Sequence, residues 1–496
     1  MEEMNLKKSL ICTLLMAVLL LTCLTACEPK ISYEGITHAS AVVSSVEELA
    51  QYEIYPDLQE LDLTGSPLSY QQIAQWAKSH PNLAVHYTIP FAGKDLPHDV
   101  TELTLEDGSY AYSELLEILE YLPDVTSISL PHTSLNAAEL EEIRQRYSRI
   151  AVDYSVDILG QEYDMSTTML DLSAMEPDQM DSVIAKLDLL PEIQSVELMA
   201  GDGSSKLNTV EVKALMDAMP GVAVNYSFDL FGQRVSTTDE VIAYEDIPIG
   251  NGGEAQIRQA LDILQSCTYF KLDGCGVDNE IMAQIRDDYP NIKVVWRIYL
   301  KHFNMLTDTE MLRVTHHLNN DNCDVLKYCT DVVYADFGHN EYLSDISFMA
   351  GMTKLECVIL AGAAVYDLSV FANMPNLEWL ELCFCGYVKD LTPLKGLPNL
   401  KYLNLSFTAV NDLTAVMDLP LERFQTMGCT VPWEQQIKIV EKHPDAIILF
   451  EGKQPFGYGW RYNDQGYTRF EYYSNMRIIF RYDEEDYFGN NKNMDG

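Results

Sequence analysis

The segment between Leu355 and Thr426 repeats one pattern four times, as LECVIL (residues 355–360), LEWLEL (377–382), LKYLNL (400–405) and LERFQT (421–426). Successive copies begin 22, 23 and 21 residues apart. The first three copies are each followed by a second shared motif, which reads VYDL (365–368), VKDL (388–391) and VNDL (410–413). A fixed period with two motifs in each period is typical of a protein built from stacked structural repeats.

A longer unit recurs upstream of this segment. Its clearest element is an alternating strand pattern, found as LAVHY (83–87), IAVDY (150–154), VAVNY (222–226) and IKVVW (292–296). The central valines of these strands lie 67, 72 and 70 residues apart. A helix pattern precedes each strand, and we predict an additional strand and a hairpin in each unit. The helix and strand pattern returns at 432–450, which predicts one continuous solenoid with two repeat lengths.

Together these motifs resemble the leucine-rich repeat family. The short period is similar to internalin-like repeats, and the longer one is similar to ribonuclease-inhibitor-type strand–helix repeats. The resemblance implies an α/β solenoid with a concave parallel sheet and with helices or turns on its convex side. It also implies that residues one, four and six of each short repeat point into the core, whereas residues three, five and eight face outward. Cys275, Cys385 and Cys429 occupy a turn position that takes Asn, Cys or Thr in this family, so we expect their side chains to hydrogen-bond the turn.

We divide the chain into five segments. These are a lipoprotein signal peptide (1–27), a tether (28–45), degenerate long repeats (46–306), short repeats with a closing helix–strand unit (307–450), and an aromatic-rich C-terminal cap with a polar tail (451–496). A helix is predicted over 308–318, at the entry to the short repeats. A solenoid exposes its apolar core at its ends, and for this reason the aromatic segment after residue 450 is predicted to be a cap.

The N-terminus has the features of an export signal. Lys7 and Lys8 precede an apolar run over residues 10–21, which is short for a membrane span and fits the core of a signal peptide. The run is followed by Leu24-Thr25-Ala26-Cys27, which resembles the bacterial lipobox. This resemblance implies lipid attachment at Cys27 and a location on the extracytoplasmic face of the cell membrane. The alternative is an ordinary signal peptide with an incidental cysteine.

The charge balance excludes several classes of partner. The formal net charge is −42, from 33 basic and 75 acidic residues. Nucleic acid and anionic lipid surfaces attract basic proteins, so neither is a predicted partner. The cysteines outside the leader are predicted to be mostly free core thiols. No catalytic, cofactor-binding or metal site is predicted. His316 and His317 are adjacent, whereas two metal ligands on one helix need a spacing of three or four.

The outward positions of the short repeats are unusually aromatic. The candidate ligand face comprises Tyr334, Trp379, Glu381, Phe384, Tyr402, Asn404, Phe407 and Arg423. Aromatic side chains with a polar handle are favoured at protein interfaces and on sugar-binding surfaces. We therefore predict a non-enzymatic protein that binds a protein or glycan partner through this face. The alternatives are a face covered by the C-terminal cap, an envelope scaffold with no specific ligand, and an enzyme with its site in the C-terminal segment.

Overall fold

The computed structural model describes residues 33–484 and the short strand Lys492–Asn493. The predicted signal peptide and the lipid-attachment residue Cys27 lie outside these described residues. Among residues 33–484, no helix has both the length and the apolar character needed to cross a membrane. The α-helices of this part of the chain are Val46–Leu49, Tyr70–Lys78, Tyr112–Leu119, Ala137–Arg146, Met180–Leu187, Thr209–Ala218, Glu254–Leu261, Asn279–Asp288, Trp433–Lys442 and Glu471–Ile479.

The chain divides into two compact units, and the division falls inside the predicted long repeats. The first comprises Met1–Glu197 and Asp217–Val222, and the second comprises Leu198–Met216 and Ala223–Gly496. The described strands of the first unit form a parallel sheet, a hairpin, a four-stranded sheet and a parallel pair. In that order they are His38–Ser40, Glu60–Asp62 and Ala84–His86; Thr88–Phe91 and Lys94–Pro97; Glu102–Thr104, Ser127–Leu130, Ala151–Ile158 and Gln161–Asp164; Met169–Asp171 and Ser195–Glu197.

The second unit contains the strand Ala223–Asn225, a hairpin and two larger sheets. The hairpin joins Ser227–Leu230 to Gln233–Ser236, and the five-stranded sheet contains Val241–Glu245, Tyr269–Asp273, Lys293–Leu300, Phe303–Leu306 and Lys492–Asn493. The other sheet is wholly parallel and is called the C-terminal sheet here. Its seven strands are Met311–Arg313, Tyr334–Asp336, Cys357–Ile359, Trp379–Glu381, Tyr402–Asn404, Arg423–Gln425 and Ile447–Leu449.

The leucine pattern forms the core of the C-terminal sheet as predicted. Leu355, Val358 and Leu360, the first, fourth and sixth residues of one repeat, are fully buried. The aspartate of the second motif (VYDL, VKDL and VNDL) stabilises the turn that follows the strand. In each copy it accepts a hydrogen bond from the backbone N–H two residues later. Asp367 holds Ser369 in this way, with an N···O distance of 2.8 Å. Short 3-10 helices follow at Ser347–Gly351, Ser369–Asn373, Thr392–Leu394 and Thr414–Val416.

The predicted hairpins are confirmed in all four long units. In the hairpin of the first long repeat, the turn residues Ala92 and Gly93 have φ angles of 51° and 72°. Positive φ at both central residues is the two-residue turn that matches the twist of a hairpin, which explains why glycine recurs there. The first residue after the second strand of each hairpin donates a backbone hydrogen bond to the chain that leads into the hairpin, such as His98 N–H to the Tyr87 carbonyl at 3.0 Å.

Three expectations differ from the structure. The strand His38–Ser40 lies within the predicted tether and pairs with Glu60–Asp62. The predicted helix over 308–318 is replaced by the strand Met311–Arg313, because pairing with Tyr334–Asp336 satisfies its backbone as the first strand of the C-terminal sheet. The parallel strands form several separate sheets rather than one continuous concave sheet.

Candidate functional site

The candidate ligand residues belong to one face of the C-terminal sheet, which is called the strand face here. Parallel pairing aligns the third residues of successive repeats, and it aligns the fifth residues in the same way. The third residues are Met311, Tyr334, Cys357, Trp379, Tyr402, Arg423 and Ile447. The fifth residues are Arg313, Asp336, Ile359, Glu381, Asn404, Gln425 and Leu449. The register therefore brings the candidate residues together, as the repeat spacing predicted.

Residues 451–484, called the cover segment here, fold back over the strand face. Trp460, Tyr473, Met476 and Phe480 of this segment are buried against Cys357, Trp379 and their neighbours in one apolar cluster. The ring centroids of Trp379 and Trp460 are 4.2 Å apart, and Tyr472 stacks on Trp379 with a centroid distance of 5.3 Å. The helix Glu471–Ile479 supplies several of these contacts because its buried residues Tyr473 and Met476 lie three apart on one face.

This packing corrects the interpretation of the strand face as an open surface. Trp379, Glu381, Tyr402, Asn404 and Arg423 are all buried, with exposed fractions of 7% or less. Tyr334 is half-buried, and its hydroxyl donates a hydrogen bond to Glu356. Burial raises the pKa of the Tyr334 phenol to about 12, with the Glu356 carboxylate adding to the effect. Direct contact of these residues with a ligand stays a prediction, and it requires the cover segment to leave.

Two aromatic residues of the candidate face remain at the surface. Phe384 is 48% exposed and Phe407 is half-buried. Their rings stack with a centroid distance of 4.9 Å, close to the spacing of neighbouring strands. Both have left-handed backbone conformations, with φ of 66° and 59°, at the eighth position of their repeats.

Polar contacts also attach the cover segment to the strand face. The fully buried Glu381 carboxylate accepts hydrogen bonds from Trp460 Nε1 at 2.5 Å and from Arg461 Nη2 at 2.7 Å. The Asp336 carboxylate accepts a 2.6 Å bond from the Tyr482 hydroxyl. These donors satisfy carboxylates that would otherwise be costly to bury. The acidic residues of the strand face therefore hydrogen-bond the cover segment at two strands, Trp379–Glu381 and Tyr334–Asp336.

Arg423 and Asn404 of the strand face in turn donate hydrogen bonds to backbone carbonyls of the cover segment. Arg423 donates from Nη1 to the Trp460 carbonyl at 3.1 Å, and its guanidinium lies 3.7 Å from the centroid of the Phe470 ring. Burial lowers the pKa of Arg423 below its usual value, although the group remains a cation at neutral pH. Asn404 donates to the Pro455 carbonyl at 2.9 Å. The contacts extend along most of the sheet.

A cavity of about 420 Å³ remains between the strand face and the cover segment. Its charged lining comprises Arg313, Arg461, Arg477, Asp336 and Glu381, with His316 and His339 at its exposed edge. The two histidine rings stack with a centroid distance of 4.8 Å. Although burial alone lowers the pKa of Arg461, the adjacent Glu381 carboxylate outweighs this effect and leaves that pKa raised. Arg461 Nε is buried and has no hydrogen-bond partner within the described residues.

The sequence did not reveal this cavity. Arg313 falls within the segment predicted as a helix, and Arg461 and Arg477 belong to the segment predicted as an end cap. The available signal was the strand period, since Arg313 stands 23 residues before Asp336 at the same repeat position. The arginines of the cover segment follow no repeat, so no spacing links them to the sheet.

The cysteines behave as core thiols in the described part of the chain. Cys267, Cys275, Cys323, Cys329, Cys357, Cys383, Cys385 and Cys429 are thiols rather than half-cystines, and Cys429 alone among them is partly exposed. The predicted turn contacts are confirmed, because the thiols of Cys385 and Cys429 donate to the carbonyls of Leu360 and Leu405, each at 3.1 Å. Burial raises the pKa of both Cys357 and Cys383 well above the usual range, so neither is a thiolate at neutral pH.

No protein-family model and no curated protein sequence matches this chain. Solved structures match it at low similarity. Internalin C2 from Listeria monocytogenes is 18% identical with a TM-score of 0.24, and the match covers 31% of this chain and 65% of internalin C2, under two thirds of its length. Internalin InlF from the same organism is 11% identical with a TM-score of 0.25, covering 84% of this chain and 88% of that one. A leucine-rich repeat protein from Leptospira interrogans is 12% identical with a TM-score of 0.20, covering 80% of this chain and 90% of that one. Likeness at this level does not by itself assign a function.

Proposed function

We propose that this chain is a non-enzymatic binding protein of the leucine-rich repeat type, held on the extracytoplasmic face of the cell membrane by a lipid at Cys27. Its partner is a protein or a glycan that presents an anionic group to the cavity beneath the cover segment. The observation that carries the proposal is the clustering of Arg313, Arg461 and Arg477 around one cavity. Neither a cofactor nor a catalytic step is part of the proposal.

The charge balance around the cavity differs from that of the whole protein. Its three arginines are matched by Asp336, Glu381 and the Asp483 carboxylate that pairs with Arg477, so the charges around the cavity balance in a chain with a net charge of −42. The long-range field of such a chain repels anions, so an anion that binds must do so through local hydrogen bonds. Guanidinium groups suit this task because they present several donors to a carboxylate. The Nε of Arg461, which is buried and has no hydrogen-bond partner among residues 33–484, is one candidate donor.

The proposal predicts selective binding of acidic probes. Glucuronate and a tetraglutamate peptide, with glucose and tetraalanine as neutral counterparts, would be titrated into the protein and followed by isothermal titration calorimetry. We expect at least one acidic probe to bind, and we expect Arg477→Gln to weaken its binding about tenfold, the value of one charge-assisted hydrogen bond. Arg477 is the choice because its side chain keeps a 19% exposed fraction at the cavity.

Arg258→Gln is the matched control for this experiment. Arg258 lies in the same unit and is also ion-paired and partly exposed, with bonds to Glu254 and Asp288, but it does not line the cavity. Its replacement should leave the affinity unchanged. Failure of both acidic probes to bind, or equal loss in the two variants, would exclude the cavity as the binding site.

An envelope scaffold without a specific ligand is the second candidate function. It is favoured by the burial of Trp379 and Tyr402, because the chain's own cover segment occupies the surface that a ligand would otherwise use. A scaffold predicts that neither acidic probe binds and that partners, if present, contact the surface outside the cavity. The sequence-based prediction against nucleic acid stays a prediction.

Membrane attachment is tested separately from ligand binding. We expect Cys27→Ser to move the protein from the membrane fraction to the soluble fraction in cell fractionation, because the thiol that would carry the lipid is gone. Cys12→Ser is the matched control, since Cys12 also lies in the leader but lacks the lipobox context. Membrane retention of the Cys27→Ser protein would contradict lipid anchoring at this residue.

A further inference from the structure

The first hairpin brings His86 close to His98 and Asp99, which are consecutive in the sequence. His86 ends the strand Ala84–His86, and His98 and Asp99 directly follow the strand Lys94–Pro97. One ring nitrogen of each histidine and one carboxylate oxygen of Asp99 all lie within 4.8 Å of one another. The hairpin Thr88–Phe91 and Lys94–Pro97 therefore closes an eleven-residue gap between the two histidines.

We infer that His86, His98 and Asp99 form a binding site for a divalent transition-metal ion, with Zn²⁺ as the fitting ion. Two imidazoles and one carboxylate are ligands that zinc uses in sites with three protein ligands and one open position. Magnesium and calcium prefer an all-oxygen shell, which this set does not offer.

One ligand–ligand distance already suits a tetrahedral ion, within a set of atoms that all lie within 4.8 Å of one another. With metal–ligand bonds of about 2.0–2.1 Å, two ligand atoms of a tetrahedral zinc site are about 3.4 Å apart. The distance from His86 Nδ1 to Asp99 Oδ2 is 3.4 Å. The side chains of these two residues are 43% and 47% exposed, so each can adjust and an ion can enter from solvent.

The environment of His98 gives an independent reason for a ligand. Its ring stacks on Tyr87 with a centroid distance of 4.5 Å, and its Nδ1 is buried without a hydrogen-bond partner in the described part of the chain. A buried ring nitrogen with no partner is costly unless something else takes its lone pair. A metal ion bound through Nδ1 would do so.

The other long repeats form the same hairpin without an equivalent of the set His86, His98 and Asp99, so the fold does not require these three side chains. The backbone bond from His98 to Tyr87 has its counterparts at Met165, Thr237 and Thr307, which donate to Tyr154, Tyr226 and Trp296. Thr237 and Thr307 use their hydroxyls to satisfy the backbone of their own units, with bonds of 3.1 and 3.2 Å from the N–H groups of Tyr226 and Trp296. His98 instead carries a ring with an unsatisfied nitrogen at this position. The residues that follow it in the other units, Ser166, Thr238 and Asp308, are not accompanied by paired histidines.

Zinc titration of the intact protein, prepared without a polyhistidine tag and treated with a chelator, tests the inference. We expect one equivalent of Zn²⁺ to bind, measured by calorimetry and by elemental analysis after dialysis. His86→Gln and His98→Gln should each weaken binding by at least about 100-fold, because each removes one of three ligands and even the loss of a group that hydrogen-bonds a ligand costs up to that much. Co²⁺ in place of Zn²⁺ should give visible absorption bands of a tetrahedral site, and both variants should lose them.

His38→Gln is the matched control. His38 lies in the same sheet and pairs with Glu60 at 3.1 Å, but no second histidine accompanies that pair. Its replacement should leave one equivalent bound at the original affinity. Circular dichroism of the metal-free variants verifies folding. If His98→Gln unfolds, His86→Gln still tests the site, because the His86 side chain is 43% exposed and its replacement should not disturb the fold. The inference would be overturned if the protein bound no Zn²⁺. It would also be overturned if His86→Gln left the affinity for Zn²⁺ unchanged, since the ion would then be held elsewhere, for example by buried thiols.

Discussion

Replacement of Trp460 by alanine is expected to lower the free energy of unfolding by about 3–5 kcal/mol, the range for truncating a buried tryptophan. Trp460 is fully buried, and its ring packs against Trp379. Its indole N–H also donates to Glu381, so the substitution creates a cavity and removes one donor from a buried carboxylate. The effect should be large although Trp460 lies outside every repeat.

Urea unfolding followed by circular dichroism measures this loss, and Trp433→Ala provides the control. Trp433 begins the helix Trp433–Lys442 and is 68% exposed, so its truncation should change stability by no more than about 0.5 kcal/mol. Limited proteolysis adds a local measurement, because a loosened cover segment should be cleaved before the repeats. Equal stability of the Trp460→Ala protein and the wild type would show that the cover segment contributes little to the fold in solution.

The sequence predicted the direction of side chains on the C-terminal sheet but not their exposure. Period and register place Trp379 and Tyr402 on the face opposite the leucine core, and the structure confirms this placement. Their burial depends on Trp460, Phe480 and the rest of the cover segment. That segment has no repeat, so its position is set by side-chain complementarity rather than by spacing.

The errors at the ends of the repeat array have a related cause. The segment 308–318 shows a helix-like spacing, yet Met311–Arg313 pairs as a strand because an adjacent repeat offers a free sheet edge. Tertiary context often overrides local propensity in this way. The strand His38–Ser40 is a second example of tertiary context overriding local sequence. Its residues have little apolar character, and they adopt an extended conformation because they pair with Glu60–Asp62. Motifs at the centre of an array are more predictable than its ends for this reason.

Sites built from distant residues were the least predictable feature. Arg313 and Arg461 are separated by almost 150 residues and meet only because the chain folds back on its own sheet. His86 and His98 are closer in sequence, but their spacing fits no helical metal motif and becomes meaningful only once the intervening hairpin is known. A repeat pattern predicts where the strands lie and how they pair. These clusters instead depend on the turns and segments that interrupt the pattern.

Breaking the pair between Glu381 and Arg461 is the second change with a large expected effect. Glu381→Gln keeps the shape of the side chain but leaves the guanidinium of Arg461 without its anion. Removal of one partner of a buried ion pair costs about 3–5 kcal/mol, and the lower end applies because Arg461 keeps a 22% exposed fraction. A double-mutant cycle with Arg461→Gln isolates the coupling, which we expect to be about 2 kcal/mol.

The pair Glu378–Lys401 is the control for this cycle. It joins the repeat that contains Glu381 to the next repeat at 3.5 Å, but both side chains are about one third exposed, at 31% and 35%. Its coupling should be below about 1 kcal/mol, as for other solvent-exposed pairs. A large coupling at Glu381 together with a small one at Glu378 would mean that charge, and not only apolar contact, fixes the cover segment to the sheet. Equal coupling energies at the two pairs would contradict this, and apolar packing around Trp460 would then account for the attachment by itself.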